Sequence, residues 1–418
     1  MKKICFLLVL SLIFFSCSKD EDEDQTQNFT VHLNVDRFYQ CGNDNESVRA
    51  FLSDENGTIL DSGDLKKGQL TTLSFSKDAS VHFDLSYMRY DITDLGREVY
   101  SLVTFTNIEA GTYYIEGPST FYESSNDEIT LKLYNTGYPF EVTSRLNWEG
   151  AGGPENGGYF NFSSNLVVSP TSDFYASFKS PNDQFDRYYW GEDIPEGSVF
   201  NIDYGTLPEI TNIVNTQIPS NNFFYFSVEG LRNNDVNNIH HSIAYENSSE
   251  GNTSLSTSVP PNIFDNYLFN VYYNTNNLGY SKKMFTNTIP EQINTPTINL
   301  TINNPSPQNF NMSTTGEATI YNVTFRAENI DDTVFFVQKI YGEVTPEVSF
   351  SKENLRMNIQ QSYQGLSWLE TISLGSAGLV YYSLTNSYKD ILKNEIKGKR
   401  YEIPAVNGFI DSFSKQFN

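Results

Sequence analysis

Three cysteines in 418 residues cannot build a disulfide framework. Basic residues are also scarce, with 27 Lys and Arg against 51 Asp and Glu and a formal charge of −24. A chain this acidic is repelled by a phosphate backbone, which excludes nucleic acid as a partner. No G-x-S-x-G elbow, no H-E-x-x-H, no paired Cys and no phosphate-binding G-x-x-x-x-G-K-[ST] occurs. The Gly-rich run 150–158 is followed by no Lys-Ser/Thr and reads as a surface loop. The histidines are His32, His82, His240 and His241. None has a second ligand at zinc spacing, and an adjacent pair on a strand points to opposite faces. No catalytic residue, zinc ligand or cofactor is therefore nominated. Beyond the N-terminus no apolar run approaches 18 residues, so no membrane-spanning helix is expected there.

Aromatic residues, in contrast, are abundant at 15%, which excludes bulk disorder. The dominant pattern is short apolar alternation broken by Asn, Gly, Asp, Ser and Pro, the signature of antiparallel strands. Phe29 to Val35 and Ser47 to Leu52 alternate cleanly, and Asp54-Glu55-Asn56-Gly57 supplies a hairpin turn. Helix signals are few. The best is 387–397, with Ser387 as cap, Tyr388, Ile391, Leu392 and Ile396 on one face, and Gly398 as terminator. The expected fold is all-β, built of tandem antiparallel β-sandwich domains of immunoglobulin-like or transthyretin-like type, with at most one or two short helices. Some 400 residues exceed one sandwich. Turn-rich stretches place domains at 29–135, 136–215, 216–302 and 310–418. An internal echo supports repetition: Ile108-Glu109-Ala110-Gly111-Thr112-Tyr113-Tyr114-Ile115 resembles Ile194-Pro195-Glu196-Gly197-Ser198-Val199-Phe200-Asn201-Ile202. The Gly-Thr-Tyr-Tyr-Ile piece is similar to an edge found in many transthyretin-like and immunoglobulin-like extracellular modules, where the Gly turns the chain and the aromatic enters the core.

The N-terminus reads as an address. Lys2 and Lys3 precede a 12-residue apolar run from Ile4 to Phe15, too short for a bilayer core of about 30 Å and suited to a signal peptide over 1–16. Phe14-Phe15-Ser16-Cys17 resembles the lipobox of bacterial lipoproteins, in a form familiar in Bacteroidota. The run Asp20-Glu21-Asp22-Glu23-Asp24 resembles the acidic surface-export signal of Bacteroidota lipoproteins. The resemblance implies cleavage after Ser16, lipidation (palmitate) on Cys17, a tether over 17–28 and an outer-membrane anchor facing the exterior. Removal of Lys2 and Lys3 takes the charge from −24 to −26. Cys41 is then the one remaining thiol.

One aromatic constellation stands out. Arg187-Tyr188-Tyr189-Trp190-Gly191-Glu192-Asp193 sets three rings beside two acids, and Trp148 stands at the lip of the Gly-rich run. Sugar rings stack their C–H faces on aromatic planes while carboxylates bind hydroxyls. Trp148, Tyr188, Tyr189, Trp190, Glu192 and Asp193 are therefore the candidate ligand-binding residues, set against the alternative that they fill a sandwich core. Asp54, Asn56, Asp61 and Asp64 on one hairpin, and Asp331-Asp332, are weaker candidates for calcium, without the regular loop spacing. Asp332-Thr333-Val334 resembles the O-glycosylation motif of Bacteroidota. A carboxylate pair for glycoside hydrolysis cannot be singled out among 51 acids. The expectation is a non-enzymatic, surface-exposed lipoprotein that binds a glycan, another extracellular polymer or a surface-protein partner. The alternatives are a structural adhesin or fimbria-like subunit and a secreted hydrolase with accessory sandwiches.

Overall fold

The computed structural model describes residues 26–37, 47–78, 82–93, 95–115, 129–134, 140–144, 148–151, 160–164, 172–180, 184–195, 197–232, 240–249, 251–329, 331–367, 372–385, 387–397 and 407–417. Cys17, Cys41, Trp368 and the expected joint at 117–127 lie outside them.

The first seven strands are β1 Thr26–Val35, β2 Ser47–Asp54, β3 Ile59–Asp64, β4 Leu70–Asp78, β5 Phe83–Ile92, β6 Glu98–Ile108 and β7 Gly111–Ile115. The next seven are β8 Ile129–Tyr134, β9 Phe140–Ser144, β10 Trp148–Ala151, β11 Phe160–Ser164, β12 Ser172–Lys179, β13 Phe185–Ile194 and β14 Val199–Asp203. Then follow β15 Asn212–Gln217, β16 Phe223–Leu231, β17 His240–Ser248, β18 Ser254–Val259, β19 Asn266–Thr275 and β20 Leu278–Thr286. The last stretch holds β21 Asn299–Asn304, β22 Phe310–Thr315, β23 Ile320–Glu328, β24 Val334–Glu343, β25 Glu347–Phe350, helix α1 Glu353–Ser362, β26 Ser373–Tyr382, helix α2 Tyr388–Lys397 and β27 Phe409–Gln416.

The pairing repeats. In the first set, β4-β1-β7 forms one sheet and β3-β2-β5-β6 a second, with β7 parallel to β1. The second set reproduces this as β11-β8-β14, again with β14 parallel to β8, and β10-β9-β12-β13. The third gives β15-β18 and β17-β16-β19-β20, with a parallel bridge from Gln217 to Gln292 where the seventh strand would lie. The fourth gives β22-β25, extended by β21, and β24-β23-β26-β27. The chain is thus a tandem of antiparallel sandwiches in the transthyretin-like arrangement, with two short helices among the described residues.

The echo between 108–115 and 194–202 falls on β7 and β14, the same seventh position. Tyr113 and Ile115 enter the core of the first repeat, and Tyr114 faces solvent. Gly57 carries φ +80° at the β2–β3 turn, as the Asn-Gly pair requires of at least one residue.

Three of the four-stranded sheets join edge to edge. Strand β20 pairs antiparallel with β27, and β24 pairs parallel with β6. The result is a 12-stranded sheet ordered β17-β16-β19-β20-β27-β26-β23-β24-β6-β5-β2-β3. Because residues alternate across a strand, this sheet feeds cores on both faces. Ile340 of β24 packs with Leu300, Phe310 and Val348, whereas its neighbour Tyr341 joins the core of β1, β4 and β7. Helix α2 lays Tyr388, Ile391, Leu392 and Ile396 into that first core, and Ser387 Oγ accepts the Asp390 amide at 3.3 Å as its cap. Helix α1 has no clear sequence signal. Leu355 and Ile359 are spaced i, i+4 and cover the outer face of the first repeat, against Phe51, Met88, Tyr100, Leu102 and Phe336.

Candidate functional site

The nominated constellation sits on β13, the sixth strand of the second repeat, and alternation divides its rings. Tyr188 is buried and Trp190 half-buried on one face, while Tyr189 points the other way. Tyr189 stacks on Phe174 with ring centroids 5.3 Å apart and contacts Phe200 at 6.1 Å. Burial pushes its phenol up. Trp190 meets the edges or faces of His241 at 5.0 Å and Phe264 at 5.8 Å, both in the third repeat. The Arg232 guanidinium lies over the Trp190 ring at 5.4 Å and is ion-paired to Glu192. Trp190 is thus an anchor between the second and third repeats. Gly191 is required beside it, since a Cβ there would stand 2.6 Å from the Phe174 ring.

Trp148 pairs with Thr143, Thr143 with Tyr175, and Tyr175 with Trp190. The two tryptophans therefore share one row across the sheet, three strand spacings or about 14 Å apart. The side chains of Trp148 and Asp193 lie outside the described residues.

The hairpin acids are engaged in local structure. Asp54 Oδ1 accepts the Asn56 and Thr58 amides at 3.0 and 2.9 Å. Asp61 Oδ2 accepts the Ser74 amide at 2.7 Å, tying β3 to β4, and Asp64 pairs with Arg49 at 2.9 Å. Asp332 takes a left-handed turn conformation, φ 53°. Among the described residues no group of three or more His, Cys, Asp and Glu is placed to hold a metal. No helix among them is long and apolar enough to cross a membrane.

A second ring array was missed from sequence. On the third repeat, Phe224, Phe226, Phe269, Val271 and Tyr273 fill the core, and the residues between them face outward. Phe223, Tyr225 and Tyr272 are half-buried there, and Tyr245 is 52% exposed. Tyr225 pairs directly with Tyr272 across β16 and β19. Tyr225 meets Tyr245 edge-on at 5.4 Å, and Phe223 meets Tyr272 at 6.1 Å. The four rings thus run across β17, β16 and β19. Asn247 donates its amide to the Tyr245 hydroxyl at 2.8 Å. Asn270 and Asn274 share the Tyr272 face of β19, and Lys283 pairs with Asn270. The signal was available in Phe223-Phe224-Tyr225-Phe226 and in Tyr272-Tyr273. Successive rings on a strand cannot all enter one core.

No known protein family matches the chain, and no curated protein matches it. Among solved structures, the shaft pilin SpaA of Lactobacillus rhamnosus GG aligns at 12% identity over 44% of this chain and 100% of the pilin chain, with a TM-score of 0.14. A double mutant of the same pilin aligns at 11% identity over the same shares, also at 0.14. At that score the likeness carries no argument about fold or function.

Proposed function

We propose that the chain is a non-enzymatic surface protein that binds an extracellular glycan along the outer face of its third repeat. The observation that carries this reading is the ring array of Phe223, Tyr272, Tyr225 and Tyr245, which is partly exposed and bordered by Asn247, Asn270 and Asn274. Aromatic faces accept sugar C–H surfaces, and amides match hydroxyls in both donor and acceptor roles. The four rings and the three bordering amides are themselves uncharged, which suits a neutral polysaccharide. The N-terminal address supports the same setting: lipid on Cys17 would tether the repeats outside the cell. Palmitate labelling tests that anchor, and Cys17→Ala abolishes the label on this reading.

Glycan arrays followed by affinity electrophoresis test the binding face. Tyr225→Ala with Tyr272→Ala removes retardation while the circular dichroism spectrum is unchanged. Retention of full binding in that folded variant sinks the proposal. A second reading, a stalk or adhesin subunit, is favoured by the edge-to-edge joining of three repeats into one sheet. It requires ordered self-association or a co-purifying assembly partner, with binding insensitive to the tyrosines.

A further inference from the structure

The ring array does not end at β19. Tyr272 leans from β19 across β20, where a Cβ on Gly279 would stand 2.9 Å from its hydroxyl and 3.2 Å from its Cε2. A glycine inside a strand marks such a close approach, and here it makes room for the ring. The same Cβ would stand 2.7 Å from Ser414 Oγ on β27, so the Tyr272 and Ser414 hydroxyls converge above the glycine. Strand β27 belongs to the fourth repeat.

Register carries this face onward. Gly279 pairs with Ser414, Ser414 with Gly378, and Gly378 with Asn322. Ser281 pairs with Ser412, and their Oγ atoms lie 2.5 Å apart across the seam of the third and fourth repeats. The Asn322 amide lies over Gly378, its Oδ1 and Nδ2 3.0 and 3.1 Å from where a Cβ would stand. Ser281, Ser412, Ser414 and Asn322 are half-buried and lie on the same side of the sheet as Tyr272. Val380, Tyr382 and Ile410 share that side and enter the core of the first repeat, which bounds the strip along one flank. Strands β20, β26 and β27 present no Asp or Glu to this side, although the chain holds 51 acids. Asp411 of β27 points to the opposite face and pairs with Lys282 there.

We propose, on the footing of the glycan reading above, that the site continues from the third repeat onto the fourth and takes a long, unbranched, extended polysaccharide laid across the strands. In sheet order β17, β16, β19, β20, β27, β26 and β23 span six strand spacings, about 29 Å, which accommodates about six sugar residues. The rings hold one end by stacking. The hydroxyls of Ser281, Ser412 and Ser414 and the amide of Asn322 hydrogen-bond sugar hydroxyls along the other. A ribbon-like chain, such as a β-1,4-linked glucan, mannan or xylan, follows a straight path of this length. A coiled α-1,4-glucan does not.

Calorimetric titration of the full chain with cello-, manno- and xylo-oligosaccharides, from disaccharide to octasaccharide, tests this, with malto-oligosaccharides as the coiled counterpart. Affinity for a ribbon-like series should rise about tenfold from trisaccharide to hexasaccharide, the worth of one or two net hydrogen bonds, and then level off. The Asn322→Ala, Ser414→Ala pair should flatten that rise, with circular dichroism confirming its fold. Equal affinity for trisaccharide and hexasaccharide in the wild type overturns the extension and leaves the ring array as the whole site. An undiminished rise in the folded double variant, or tighter binding of the malto series, also overturns it. So does the absence of binding to every series; if glycan arrays are blank as well, the glycan reading itself has failed.

Discussion

Phe336→Ala probes the seam at which the first and fourth repeats share a sheet. Phe336 is 1% exposed on β24 and registers against Tyr100 on the parallel strand β6. Its ring closes the core formed by Phe51, Met88 and Leu102 of the first repeat and by Leu355 and Ile359 of α1. Truncating a fully buried Phe loses the transfer free energy of the ring and leaves a cavity, together about 3–5 kcal/mol. The neighbouring Phe335 points to the opposite face, is half-buried and carries Arg97 over its ring at 5.1 Å. Phe335→Ala therefore costs about 1 kcal/mol, mostly the lost cation–π contact. Hydrogen exchange with urea titration separates the two. Phe336→Ala should lower protection in both β6 and β23, because the cavity opens to both repeats. If protection falls only in β23 and β24, with β6 unchanged, the shared-sheet account is wrong.

Further expectations concern other joints and titrations. Gly230→Val drives a side chain into the Phe264 ring, which leaves no room for even a Cβ at that position, and should lower the melting temperature through overpacking of about 1–3 kcal/mol. Trp190→Ala opens the contact with His241 and Phe264 and should destabilise the joint of repeats two and three, by about 2–4 kcal/mol in denaturant titration, without abolishing glycan retention. Burial raises the phenols of Tyr321 and Tyr388, so the neutral forms belong to the folded state. Their contribution is fully present below the unfolded phenol pKa of about 10 and is lost as pH rises toward the folded values. Ultraviolet titration should show a group of tyrosines that ionises only with alkaline unfolding. Glu109 is held below its ordinary range by its hydrogen bond and charge pairing with Lys389. Its small stabilisation, under about 1 kcal/mol for an exposed pair, is present above the unfolded carboxylate pKa and disappears as pH falls through the folded one. Glu109→Gln should therefore differ from wild type in stability at neutral pH and match it in acid.

The sandwich class was legible because period-two alternation and turn residues act locally. Val31, Leu33 and Val35 are buried as the pattern of β1 demands, and α2 buries the face read from Tyr388, Ile391, Leu392 and Ile396. The repeat was legible only where its seventh strand preserves a turn Gly and an inward residue, at 108–115 and 194–202. The joining of sheets was not legible, since the pairing of β24 with β6 brings together residues more than 200 positions apart and leaves no periodic trace. The ring-rich strand β13 was recognised as special, but sequence could not show that Trp190 faces a neighbouring repeat. Conversely, the outward rings at 223, 225, 245 and 272 belong to three strands, so no single window displays them together. Helix α1 was hidden because Arg356, Asn358 and Gln360 dilute its two apolar anchors.

The central claim is that the tyrosine array is the glycan-binding face. Affinity electrophoresis of wild type and of the Tyr225→Ala, Tyr272→Ala pair, in a gel containing a neutral polysaccharide bound on the array, tests it most directly. Loss of two central aromatic anchors should weaken binding by at least about 2 kcal/mol, roughly 30-fold, and abolish retardation. Equal retardation of the folded double variant, or retardation lost instead in Trp190→Ala alone, contradicts the account.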